Sequence, residues 1–364
     1  MVGRKEMLHR LCAEYLADSG SSADHALSTL DWDYFLEVAN YHGICPLLYY
    51  NLVKSNKHVP AKVLKHLREK YYLNTIRNEL FYDELGQILE ALRDANIEVI
   101  VLKGAVLAET IYQEKGLRPF SDIDLLIRKD SLNRAEKELI GLGYTLDICS
   151  TPRNFSERFD YHLRYIKGAS IVELHWELGL RAGIYKYMKV KADTIWKDSR
   201  RSRIAGIDVL IPSPENLIIH SCIHSAKHKY SRLIWLYDIR QIAEYYRIDW
   251  GCLISIIKSD YIARPVFYGI SFAEELFGPI MTKHMLDELR PPILEIRILK
   301  FFINRKSFSI FTMGKDTILC LLLIDRQIDR LRFLIMYPAE ALTYLLFSSK
   351  KKTIRRLREG TVGL

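Results

Sequence analysis

The chain has 364 residues, of which 49% are hydrophobic and 27% charged; this excludes a disordered or fibrous protein and allows roughly two or three domains. Lys and Arg outnumber Asp and Glu by 53 to 44, a net charge of +9, which either suits polyanions such as nucleotides, nucleic acid or anionic lipid or is in part a solvated charged tail. The six cysteines, Cys12, Cys45, Cys149, Cys222, Cys252 and Cys320, stand singly, which argues against a disulfide framework or a zinc site and fits a reducing cytoplasm.

Residues 1 to about 90 read as helical. The opening MVGRKEMLHRLCAEYLADSG has no apolar core or cleavage site of a signal peptide and reads as an amphipathic helix. DYFLEVANYHGICPLLYYNLV continues the three- and four-residue period, with a helix stop at His42-Gly43 and Pro46 beyond it. A long helical tract follows Pro60.

From about 91 to 211 the pattern becomes α/β. NIEVIVLKG is a short strand ending in glycine, and AVLAETIYQEK a helix with Gly116 as its C-cap. FSDIDLLI is a strand. SLNRAEKELIGLG is a helix with Asp130 or Ser131 as N-cap and Gly143 as its stop. YHLRYI and SIVELHW flank Lys167-Gly168-Ala169 as a hairpin, and RSRI and IDVLI flank Ala205-Gly206 as another. At SPEN, Ser213 caps a helix and Pro214 takes its first position. The helical period then runs to about 347 and a basic tail, KKKTIRRLR, follows. The expected fold is α+β, a mixed-sheet core at 91–211 between helical regions at 1–90 and 212–364. TILCLLLI, at 317–324, is too short to span a bilayer, and the apolar run from Phe333 is broken by Pro338 and Glu340, so no membrane span is expected.

Asp122 and Asp124 sit in an otherwise apolar strand. Residues i and i+2 share a strand face about 7 Å apart, so the two carboxylates repel unless positive charge lies between them. A divalent cation supplies it, and Mg²⁺ favours one or two carboxylates with waters and phosphate oxygens. Glu173, between Val172 and Leu174, is a third acid on a strand, with Glu177 and Asp160 as nearby competitors. Upstream, Lys103-Gly104-Ala105 joins a strand to a helix, where backbone N–H groups approach a phosphate closely. Arg118 either neutralises phosphate charge or is a surface loop arginine. His220, His224 and His228 recur every four residues along one helical face without the pattern of a zinc site. Asp238 lies on an apolar helical face and reads as a structural ion-pair partner of His224 or Lys227. His175 shares a strand face with Glu173 and reads either as a neighbour of the metals or as packing.

The order of glycine turn, helix, D-x-D strand and later strand acid resembles the nucleotidyltransferase superfamily typified by DNA polymerase β. LKGAVLAETIY, RPFSDIDLLI and VELHW, with NYHGICPLLYYNL before them and ENLIIHSCIHSAKHKYSRLIWLYDI after, look like the bacterial family known as uncharacterised nucleotidyltransferases. The likeness covers most of residues 30 to 250. It implies a metal-dependent transfer of a nucleoside monophosphate from an NTP to an acceptor hydroxyl, with Mg²⁺ or Mn²⁺ as cofactor. Asp122 and Asp124 would bind metal, and Glu173 would bind metal and take the acceptor's proton. Lys103, Gly104, Ala105, Arg118, His224 and Lys227 would face the nucleotide or acceptor. The superfamily carries Gly-Gly or Gly-Ser where this chain has Gly104-Ala105, so a serine hydroxyl is missing there. Lys103 or a backbone N–H compensates, or the donor is not an ordinary nucleoside triphosphate. The acceptor would be a natural product or cell-envelope precursor; nucleic acid is not favoured. The alternatives are a phosphoryl or glycosyl-type transferase on the same scaffold, and an inactive nucleotide-binding module.

Overall fold

The computed structural model describes residues 31–54, 59–147, 153, 160–180, 186–188, 190–304 and 313–336. The expected N-terminal helix and the basic tail lie outside them. The fold is α+β. Two helices, α1 (Trp32–His42) and α2 (Cys45–Lys54), lead into α3 (Ala61–Asp94), a helix of 34 residues. The expected stop after His42 is a left-handed Gly43 (φ 71°), whose N–H closes the last turn on the carbonyls of Ala39 and Asn40.

The core elements are β1 (Val99–Val101), α4 (Lys103–Thr110), β2 (Ile123–Ile127), α5 (Leu132–Gly141), β3 (Thr145–Leu146), β4 (Asp160–Lys167), β5 (Ser170–Leu180), α6 (Ala192–Lys197), β6 (Arg200–Ile204) and β7 (Ile207–Ile211). Their seven strands form one sheet in the order β3-β4-β5-β2-β1-β7-β6. It is mixed: β2 runs parallel to β5 and β1 parallel to β7, while the other neighbours are antiparallel. All five residues of the central β2 are buried, which is why IDLLI is continuously apolar except for its aspartate.

Two local expectations fail. The helix after the glycine turn ends at Thr110, not near Gly116. Gly116 instead serves a close approach to α3, since a Cβ there would lie 2.0 Å from Thr75 Oγ1. Neither Asp130 nor Ser131 caps α5 with its side chain; a 3₁₀ turn at Lys129–Ser131 leads into the helix.

The remaining helices are α7 (Pro214–Lys227), α8 (Leu233–Tyr245), α9 (Trp250–Asp260), α10 (Ala263–Phe277), α11 (Lys283–Glu288), α12 (Ile293–Asn304) and α13 (Met313–Leu323). Ser213 caps α7 by accepting from the Asn216 N–H, with Pro214 in the first turn. Helix α7 packs on α8 and α10 and reaches α4. This places its histidine face beside the glycine turn. Among the described residues no helix is long and apolar enough to cross a membrane.

Candidate active site

β2 and β5 pair in parallel with Asp124 opposite Glu173. Partners across a ladder share a sheet face, and Asp122, two residues earlier, shares it too. One carboxylate oxygen from each of Asp122, Asp124 and Glu173 lies within 4.8 Å of the others. Glu177, a competitor for the third position, accepts instead from the Ala192 N–H at 3.1 Å and so holds the start of α6.

The sequence reading looked to a cation for the charge that Asp124 needs, but the chain supplies much of it itself. Lys103 Nζ lies 2.5 Å and His175 Nε2 2.8 Å from Asp124 Oδ1. Leu102 alone separates Lys103 from β1, and the Leu102 N–H bonds to the Asp124 carbonyl. Lys103 itself is left-handed, with φ 50°. A non-glycine residue held there stores backbone strain, here in the residue whose ammonium reaches Asp124. Burial opposes the charge on Asp124, but Lys103 and the His175 hydrogen bond outweigh it and hold the carboxyl well below the usual range. Burial likewise opposes charge on His175, and its bonds to Asp124 and Glu173 raise its pKa in spite of that. Glu173, also opposed by burial, is lowered by His175, whose Nε2 lies 3.3 Å from Glu173 Oε2.

Asp122 is left with the repulsion. The charge of Asp124 first, then burial, raises its pKa to about 6, with Lys103 only partly offsetting them. Three ionised acids against one lysine and one imidazole leave a site that attracts a cation. Its all-oxygen donor set suits a hard ion, so the residues fit Mg²⁺ or Mn²⁺. A metal held by Asp122 would need that carboxyl ionised, so Mg²⁺ affinity is expected to weaken as pH falls through about 6, approaching a factor of about ten per pH unit. Calorimetric titration between pH 5 and 8 measures this; a flat profile would remove Asp122 from the ligand set.

Asp122 and Lys103 also line a cleft of about 530 Å³ between the glycine turn and helices α7 and α8. Gly104 lines it as well. A Cβ at Gly104 would lie 2.5 Å from Phe120 Cβ and 2.7 Å from Arg118 Nη1, so no side chain fits. Ala105 does not line the cleft; it is buried and its carbonyl accepts from Tyr82.

On the opposite wall stand His220, His224 and His228, as their four-residue spacing anticipates. Burial, reinforced by Lys103, lowers His220 to about 3 and takes His224 well below its usual value. At neutral pH these two rings are therefore polar but uncharged. Lys227 is not among the lining residues. Arg118 is no surface arginine. It is 7% exposed and forks onto Asp238, with Nη2–Oδ2 at 2.8 Å and Nε–Oδ1 at 3.3 Å. Asp238 therefore pairs with Arg118, rather than with a basic residue of α7 as the sequence reading had it.

Sequence reasoning missed Arg77, Arg232, Tyr41 and Trp235, all of which line the cleft. Arg77 donates to the Phe120 carbonyl at 2.7 Å, just before the acids. The Arg232 guanidinium lies 5.8 Å from the Tyr41 ring centre and 5.6 Å from that of Trp235. Nothing local marks Arg77 within its long helix. The one signal for Arg232 was its place just before an apolar helix, where it precedes α8.

A comparison with functionally curated proteins found no match. Among solved structures, the chain has a partial likeness to ANT(2'')-Ia, described as an antibiotic-resistance factor and seen elsewhere in complex with adenylyl-2''-tobramycin. The first structure is 18% identical over 51% of this chain and 95% of that one, with a TM-score of 0.37; the second is 15% identical over 50% and 97%, with a TM-score of 0.36. Residues 28–278 match the model of the family described as uncharacterised nucleotidyltransferase. That span takes in the helices before the sheet, the acid cluster and the cleft-lining helices, and the chain belongs to this uncharacterised nucleotidyltransferase family.

Proposed function

We propose that the protein transfers a nucleoside monophosphate from an NTP to a hydroxyl of a small-molecule acceptor, with Mg²⁺ or Mn²⁺ as cofactor. The observation that carries this reading is the convergence of Asp122, Asp124 and Glu173 within 4.8 Å at the edge of a cleft that Lys103, Arg77 and Arg232 make positive. A cleft of about 530 Å³ is the size of a small-molecule site, which favours a nucleotide with a small acceptor, such as a natural product or envelope precursor, over nucleic acid. We place the reaction in the cytoplasm, with the NTP pool. We also keep the division into helical regions at 1–90 and 212–364 around a catalytic core at 91–211, because the acids come from the core and the cleft's far wall from α7 and α8.

Asp122, Asp124 and Glu173 would hold the metal, which supplies charge neutralisation to the attacking and leaving oxygens. Glu173, ionised at neutral pH, accepts the acceptor's hydroxyl proton on a carboxylate oxygen. The freed oxygen attacks the α-phosphorus as the bond from that phosphorus to the bridging oxygen breaks, and pyrophosphate leaves with the electron pair. His175 Nε2, bonded to both Asp124 and Glu173, fixes the orientation of the two carboxylates. The neutral imidazoles of His220 and His224 hydrogen-bond substrate without adding charge. Arg77 and Arg232 draw the polyphosphate in.

The test is a panel of α-³²P-labelled NTPs with Mg²⁺ or Mn²⁺ and a fractionated small-molecule extract as acceptor. Label is expected to move to an extract component and pyrophosphate to be released in equal amount. Movement of γ-label instead would establish phosphoryl transfer, and NTP binding with no movement of either label would establish a binding module.

A further inference from the structure

The acid cluster has a neighbour that the proposed transfer does not use. His162 on β4 stands directly opposite His175 on β5. Their rings lie 5.0 Å apart at an interplanar angle of 33°. Glu173, two residues from His175, shares their sheet face. One nitrogen from each histidine and one oxygen of Glu173 lie within 4.8 Å of one another. Among the described residues, the His162 ring has no hydrogen-bond partner and its ring contact is with His175.

We propose that His162, Glu173 and His175 form a second cation site, specific for a borderline transition-metal ion of the Zn²⁺ class, that shares Glu173 with the Asp122–Asp124–Glu173 site. Two imidazoles and one carboxylate are a donor set that Zn²⁺ and its neighbours take with a position left open. Mg²⁺ prefers oxygen ligands and near-octahedral geometry, so the two sites sort cations by hardness. The sharing has a consequence. An ion held by the histidines engages the carboxylate that the other set needs, so each ion weakens the binding of the other. That antagonism, carried over to turnover, rests on the proposed transfer reaction and would make Zn²⁺ an inhibitor of it. The binding itself does not rest on that reaction.

Co²⁺ alone, a coloured stand-in for Zn²⁺, tests the binding without any substrate. Added to the full chain it is expected to give visible absorption typical of nitrogen ligation in a low-coordinate site, and Zn²⁺ should displace it. His162→Gln should weaken Co²⁺ binding by about tenfold or more, whereas Asp122→Asn should keep the spectrum. Unchanged binding in His162→Gln, loss of the spectrum in Asp122→Asn, or only the pale spectrum of octahedral Co²⁺ would overturn the site. Zn-edge X-ray absorption of the unaltered protein reads the same point without a variant: two imidazoles in the coordination shell support it, an all-oxygen shell refutes it. If the binding holds and Zn²⁺ leaves Mg²⁺ affinity unchanged, the sharing of Glu173 is wrong. A failure of nucleotide transfer would touch neither readout.

Discussion

Asp122→Asn is expected to remove transfer activity by on the order of a thousandfold while leaving a protein more stable than its parent in metal-free buffer at pH 8. The two effects come from one carboxylate. In the folded chain Asp122 has a pKa of about 6 against an ordinary value of 3.8, raised first by Asp124 and then by burial. An acid whose pKa is raised on folding favours the folded state below its unfolded value and loses that contribution as pH rises through the folded one. Above pH 6 the ionised Asp122 therefore costs up to about 3 kcal/mol, at about 1.4 kcal/mol per unit. The amide relieves the cost, and the gain should vanish near pH 4.

Asp124→Asn is expected to do the opposite to stability. Asp124 is 1% exposed and is the counter-ion of both Lys103 and His175. Its loss takes from the half-buried Lys103 ammonium and the buried His175 ring the carboxylate between them, at about 3 kcal/mol. Both variants should be inactive, so the contrast lies in denaturant melts without metal. Equal destabilisation by both would mean that Asp122, too, is a structural ion-pair partner and that Asp124 does not repel it.

Much of this site was legible because strand geometry is strict. Period two put Asp122 and Asp124 on one face, and Glu173 between Val172 and Leu174 announced an acid within an apolar strand. The parallel register that sets Asp124 beside Glu173 is long-range and no local pattern encodes it; the resemblance to a known family implied only that the three acids share a metal. Lys103 was placed with the phosphates because it adjoins the glycine turn. Its left-handed backbone and its reach to Asp124 depend on the strand it leaves, which a linear motif does not show. Arg77 was invisible for another reason: in a helix of 34 residues a single arginine has no signature until the chain returns at Phe120. His220, His224 and His228 were legible as a face, since helical spacing fixes faces, but not as neutral, since that follows from how deeply the face is covered.

Arg118→Met is expected to destabilise the protein by about 3–5 kcal/mol, a loss that Asp238→Asn in the same chain largely restores. Arg118 and Asp238 form a buried bidentate pair, and Tyr112 donates to the same carboxylate at 2.7 Å. Burial disfavours the Arg118 charge, but Asp238 more than compensates and raises its pKa. Removing the cation alone leaves an unpaired buried carboxylate. Replacing that carboxylate by an amide removes the stranded charge yet keeps an acceptor for Tyr112. The double-variant cycle should therefore show a coupling of about 2 kcal/mol or more, and a coupling near zero would show the pair to be unimportant. The pair also has a positional consequence. Asn74 and Asn78 bond the carbonyls of Lys115, Gly116 and Arg118 to α3, while Arg118 ties the same loop to α8. That loop runs directly into Asp122, so both supports aim the first carboxylate at the cleft. In the restored double variant the α3 supports remain and the α8 tie is gone. Its folding should be near normal while its KM for nucleotide rises more than its kcat falls, because the cleft walls lose their fixed spacing before the acids lose theirs.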